Sequence, residues 1–253
     1  MEPFFINTYA KIIVINKVLK GRGYMTKIFI AGDSTASIKN ENKYPESGWG
    51  EALRFFLKTE IELKNYALNG RSTKSFIEEG WLDKIKDEIS TDDILLIQFG
   101  HNDEKINDKT RYTSPTHEYP ENLKKYISVA KDKGAIPILL TSVSRRCFIE
   151  GRFIKDNIGI YPEVMREVAR IEDVLLIDIN KVMEEKIEEM GDEKSRSLFL
   201  HIPENKHQHY PNGIEDNTHF SGFGALFVAF QIHKLLKKNG LGKCFVELDN
   251  FQF

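Results

Sequence analysis

Residues 93–103 read Asp-Ile-Leu-Leu-Ile-Gln-Phe-Gly-His-Asn-Asp. Ile94 to Ile97 form an unbroken aliphatic run with no polar alternation, which suits a strand buried on both faces of a sheet. Gly100 stops the run. Working outward, Lys27–Ala31, Ile61–Tyr66, Ile136–Thr141 and Val174–Ile179 read as further strands. Between and after them, Glu51–Lys58, Glu121–Lys133, Pro162–Ile171 and Ser221–Lys238 carry helical spacing, and Gly134 and Gly240 stand where helix-ending glycines belong. Strands alternating with helices indicate βαβ units and a parallel sheet covered on both sides. The irregular stretches 101–119, 142–160 and 192–218 are expected as loops over one end of that sheet, and ligands of open α/β sheets bind at the strands' carboxyl ends.

Composition narrows the class. The chain has 253 residues, 41% hydrophobic and 29% charged, so it can bury a full core, and disorder is excluded. A net charge of −2 argues against a protein built to grip nucleic acid. Cys147 and Cys244 are too few for a disulfide scaffold. No run of about 18 apolar residues exists, so no membrane span is expected. Residues 1–24 are set apart as an N-terminal extension. Ile12-Ile13-Val14-Ile15 is too short for a signal core, and neither a basic n-region before it nor a small-residue cleavage site after it completes a signal, which makes the cytoplasm the default. Either an edge strand or tail occupies this segment, or Met25 is the natural start. Residues 25–253 are expected to be one domain.

Four short segments carry chemistry. The first strand runs into Gly32-Asp33-Ser34-Thr35, the second into Asn69-Gly70-Arg71-Ser72, and the strongest into Gly100-His101-Asn102-Asp103. Asp216-Asn217-Thr218-His219 precedes the last helix. Taken singly, each has an ordinary reading: an N-cap, a turn glycine, a loop Asn, a helix-start box. Taken together, they supply a hydroxyl nucleophile, donors for an oxyanion and a His with an Asp to orient it.

This set, extended by Gly48-Trp49-Gly50 and by Thr73-Lys74-Ser75-Phe76 after Ser72, resembles the SGNH (GDSL-type) hydrolases. The likeness is greatest to the rhamnogalacturonan acetylesterase branch and spans about residues 28–235; segment 142–160 departs from the family pattern. The resemblance implies a three-layer α/β/α sandwich on a flavodoxin-like central parallel sheet of about five strands. It implies a triad of Ser34, Asp216 and His219, an oxyanion hole of the Ser34 and Gly70 N–H groups and the Asn102 side chain, and no cofactor. The implied substrate is an O-acetylated pectic oligosaccharide. That substrate is anionic, so Arg71, Lys74 and Arg145 are candidate binding residues, with Arg111, Arg146 and Arg152 on neighbouring loops.

Three alternatives stay open at this level. One keeps the triad and changes the ester, as in a lysophospholipase, thioesterase or arylesterase. A second is a metal-dependent hydrolase using His201, His207, His209 and His219. A third is a non-catalytic carbohydrate-binding module. Expected partners are a small-molecule or oligosaccharide ester, with no nucleic acid and no membrane. The expected state is a monomer or homodimer; the apolar tail 243–253 is either a dimer contact or a back-folded strand.

Overall fold

The computed structural model describes residues 26–248; the N-terminal extension, Met25, Phe251 and Phe253 lie outside them. Among the described residues there are ten strands: β1 (Lys27–Gly32), β2 (Glu46–Ser47), β3 (Glu62–Asn65), β4 (Ile94–Gln98), β5 (Ile136–Leu140), β6 (Phe148–Ile149), β7 (Arg152–Phe153), β8 (Leu175–Ile177), β9 (Phe199–Ile202) and β10 (Ile214–Ser221). The α-helices are α1 (Trp49–Ala52), α2 (Thr73–Glu78), α3 (Trp81–Glu88), α4 (Glu118–Asp132), α5 (Tyr161–Ile171), α6 (Ile179–Ser195) and α7 (Gly222–Leu236).

The central sheet is five-stranded and parallel, in the order β3-β1-β4-β5-β8. Numbered along the chain, that is 2-1-3-4-5, the flavodoxin-like order, with its switch point between β1 and β4. The continuous apolar strands divide by period two. Phe29, Ala31, Leu95 and Ile97 pack under α2–α5, while Ile28, Ile30, Ile94 and Leu96 face a core closed by α1, α6 and α7. These two cores make the three layers. Gly32 pairs level with Gln98, so the turns after β1 and β4 leave the sheet side by side at the switch point.

Several expectations need correction. Residues 51–58 are not one helix: α1 is a single turn continued by a 3-10 turn, Leu53–Phe56. Segment 142–160 is not all loop but holds the β6–β7 hairpin. Residues 192–218 include the end of α6, β9 and the start of β10. Asp216 and His219 therefore lie on a strand rather than on a helix start. That strand belongs to a small antiparallel sheet, β2-β10-β9, and its register breaks between Asp216, opposite Leu200, and Phe220, opposite Phe199. Asn217, Thr218 and His219 are the surplus residues of this bulge. The described part of the tail, up to residue 248, folds back, with Phe245 bridging to Leu57 and Val246 N–H donating to the Phe56 carbonyl. No helix among the described residues is long and apolar enough to cross a membrane.

Candidate active site

Ser34 ends up almost buried because the turn after β1 is tied from below. Asp33, fully buried, accepts from Thr35 N–H (2.9 Å) and Thr35 Oγ1 (2.7 Å) through one oxygen, and its other oxygen meets His101 Nδ1 at 3.2 Å. Burial pushes the Asp33 carboxyl up, but the His101 ring and the Thr35 bonds outweigh it and hold it below the usual range. Gln98 at the end of β4 accepts from Thr35 Oγ1 (2.9 Å) and Trp49 Nε1 (3.1 Å), which fixes the β1 turn to its neighbour strand.

The bulge of β10 brings its His to this turn. His219 Nε2 lies 3.0 Å from Ser34 Oγ across 185 residues of sequence, and His219 Nδ1 lies 2.7 Å from Asp216 Oδ2. The second Asp216 oxygen accepts the backbone N–H groups of Thr218 (2.7 Å) and His219 (2.9 Å). Burial alone would raise this carboxyl; the ring bond, the two N–H groups and the imidazole charge outweigh it and bring it down to about 2. Asp216 therefore remains an anion at any ordinary pH, and its acceptor character fixes the proton of neutral His219 on Nδ1, leaving Nε2 free to accept from Ser34.

The oxyanion candidates belong to three turns joined to one another. Gly70 has φ +76°, the left-handed conformation a turn glycine supplies. Asn102 Nδ2 donates to the Arg71 carbonyl (3.0 Å), using one amide hydrogen and leaving the other. Among the described residues, neither the Ser34 N–H nor the Gly70 N–H has a backbone acceptor. Asp103 anchors the same region by accepting Thr73 N–H (3.0 Å), Thr73 Oγ1 (2.6 Å) and Thr113 Oγ1 (2.8 Å), which pins the first turn of α2. Its burial prevails over those bonds and pushes the carboxyl up to about 7.

Two residues take supporting roles that the sequence does not show: Lys39, and Arg146, which stands above only among the loop cations. Lys39 has no exposed side-chain surface, and its ammonium donates to the Ser34 carbonyl (2.5 Å) and Asn69 Oδ1 (2.9 Å) while pairing with Glu46 (2.8 Å). One buried charge thus joins the Ser34 turn, the Gly70 turn and β2. Arg146 is also buried; it donates through Nη1 to Asn217 Oδ1 (2.9 Å) and through its backbone N–H to the Asn217 carbonyl (2.9 Å), and it pairs with Asp192. It holds the bulge from behind, so its guanidinium faces the protein. Neither residue stands in a recognisable pattern: Lys39 sits in a polar stretch that reads as surface.

Three other cationic candidates, Arg71, Arg145 and Lys74, have internal partners. Arg71 pairs with Glu79 (2.8 Å) and donates to the Asn69 carbonyl (2.9 Å). Arg145 pairs with Glu104 and donates to the Asn157 carbonyl (2.8 Å). Lys74 reaches the Lys109 carbonyl (3.2 Å). Of the four histidines, His201 donates toward Asn217 Oδ1 (2.9 Å) and His209 Nδ1 meets the Tyr44 carbonyl (3.1 Å). No three His, Cys, Asp or Glu side chains gather as a metal cage among the described residues.

Comparison with known proteins now bears on this geometry. The family described as GDSL-like lipase/acylhydrolase matches residues 28–232. The chain belongs to that family. As a GDSL-like acylhydrolase it is a carboxylic ester hydrolase. It is 40% identical over 215 residues to the rhamnogalacturonan acetylesterase RhgT of Bacillus subtilis, covering 85% of this chain and 91% of that one. It is 38% identical over 214 residues to the probable rhamnogalacturonan acetylesterase YesY of the same organism, covering 85% and 94%. Among solved structures, Bacillus subtilis YxiM superposes with a TM-score of 0.72 at 25% identity, over 85% of this chain and 57% of that one. The acetylxylan esterase Axe2 of Geobacillus stearothermophilus shares the fold, with a TM-score of 0.58 at 16% identity over 87% and 96%.

Proposed function

We propose that this GDSL-like hydrolase is a serine acetylesterase that removes O-acetyl groups from pectic rhamnogalacturonan fragments. The observation that carries the chemistry is the line Ser34 Oγ, His219 Nε2, His219 Nδ1, Asp216, with links of 3.0 and 2.7 Å. In the proposed reaction, Ser34 Oγ attacks the acetyl carbonyl carbon as its proton passes to His219 Nε2. The carbonyl oxygen becomes an oxyanion facing Ser34 N–H, Gly70 N–H and the free amide hydrogen of Asn102, and Asp216 stabilises the imidazolium. Collapse breaks the bond to the sugar oxygen, which takes the proton from His219. Water then attacks the acetyl-enzyme with His219 as base, releasing acetate and restoring Ser34. Each oxyanion donor is worth about 3–4 kcal/mol of barrier. The substrate class is supported by the two Bacillus subtilis relatives and the extent of their match.

The test is acetate release from acetylated rhamnogalacturonan oligosaccharides, acetylxylan and aryl esters of two to eight acyl carbons. Release from the pectic fragments, fastest among these substrates and abolished in Ser34→Ala, is the expected result. Faster cleavage of long acyl chains would give the site to another ester, and full activity in Ser34→Ala would remove Ser34 from the mechanism.

A further inference from the structure

The loop after β4 places an arginine side chain directly beside Gly70. A Cβ built on Gly70 would stand 3.5 Å from Cζ, Nη1 and Nη2 of Arg111 alike, so the guanidinium lies flat against that glycine. Arg111 Nε is fixed by Asp108 (3.1 Å), whose other bonds go to Thr110. Its two terminal nitrogens have no acceptor among the described residues. The loop backbone beneath is set, with Arg111 N–H and Tyr112 N–H donating to the Asp108 carbonyl and Thr113 N–H to the Asp103 carbonyl.

Lys105, exposed on the same loop, likewise has no acidic partner among the described residues. Burial lowers its ammonium and the nearby charges of Arg111 and Arg145 lower it further, while Asp108 and Asp33 act the other way. Arg71 and Arg145 are matched by Glu79 and Glu104. Arg111 is held by Asp108 through Nε alone, which leaves its terminal edge open. A planar fork with one edge anchored and the other open suits a carboxylate, bound through two parallel N–H···O bonds.

We infer that Arg111, with Lys105 beside it, reads a carboxylate on the sugar whose ester lies against Gly70, and so selects acetylated uronates over neutral acetylated sugars. This rests on the acetylesterase reading above and adds the feature of the substrate that is recognised. Residue 70 is kept a glycine by its φ of +76° rather than by lack of space, since a Cβ there would only touch the guanidinium.

Calorimetric titration with unacetylated digalacturonate and with its dimethyl ester tests this without turnover. The wild type should bind the free acid at least tenfold more tightly than the ester, with the gap narrowing at high salt. Arg111→Gln should reduce that ratio to within about twofold, and Arg111→Lys, which keeps the charge but not the fork, should fall between. Arg111 is over one-third exposed, so a folded variant is expected, checked by its circular dichroism. Equal binding of acid and ester by the wild type, or a ratio retained in folded Arg111→Gln, overturns the inference. Acetate release from pectic fragments alongside such equal binding would leave the acetylesterase reading standing. A clear acid preference without acetate release would sink that reading alone.

Discussion

Asp216 serves two neighbours with one carboxylate, the backbone of its own bulge and the ring of His219. A depressed carboxyl stabilises the fold fully above its unfolded value, near 3.8, and loses that contribution as pH falls through about 2. The stability gap between wild type and Asp216→Asn, followed by urea denaturation at stepped pH, should therefore shrink as pH drops from about 4 to about 2. A gap constant over that window would mean the carboxylate charge is not what the fold uses. In the same variant the amide no longer enforces the His219 tautomer, and kcat should fall about 10³–10⁴-fold. Lys39 makes a separate prediction. Lys39→Met strands Glu46 in a largely buried place, which should cost about 3–5 kcal/mol and lower kcat more than it raises KM, because Ser34 and the Gly70 turn lose a common anchor. Adding Glu46→Gln should recover part of the lost stability; strict additivity in that double-mutant cycle would show that the two charges act independently.

At the scale of elements, β10 decides the site, because its bulge turns His219 out toward Ser34 while Phe220 resumes pairing with Phe199. The helix that follows is seated by close backbone contact: a Cβ on Gly224 would lie 1.7 Å from the Leu198 carbonyl oxygen. Gly224→Ala must therefore shift the start of α7 away from β9, and the expected loss is above about 2 kcal/mol, read from urea midpoints. Wild-type stability would show that this end of α7 adapts freely. These same elements explain what sequence reading could reach. The central strands were legible because burial on both faces leaves uninterrupted runs such as Ile94–Ile97. Helix α6 was not, since its fully buried Ile179, Met183 and Ile187, with Val182 and Met190 partly buried, are scattered among acidic and basic residues. Helices α2 and α3 are short and separated by the left-handed Gly80. Strand β10 was hidden by its own bulge, which interrupts the alternation that reveals a half-buried strand.

Over the whole molecule, the strand order at the switch point sets Ser34 and Asn102 on adjacent turns, and the small antiparallel sheet delivers Asp216 and His219 to them. The four chemistry-bearing segments were readable from short motifs, because each needs particular residue types within a few positions. The residues that hold them in place were not, since Lys39 and Arg146 act through tertiary partners far along the chain. The open terminal nitrogens of Arg111 likewise depend on tertiary structure, since Glu79 and Glu104 pair with other arginines and Asp108 takes only its Nε. The central claim is that the fold activates one serine. Treating the protein with a phosphonofluoridate, a reagent that captures activated serines, and mapping the product by peptide mass spectrometry tests it directly. The account predicts one adduct, on Ser34, rising in step with loss of esterase activity and nearly absent in His219→Ala. Inactivation with Ser34 unmodified, or labelling of Ser34 undiminished in His219→Ala, would contradict it.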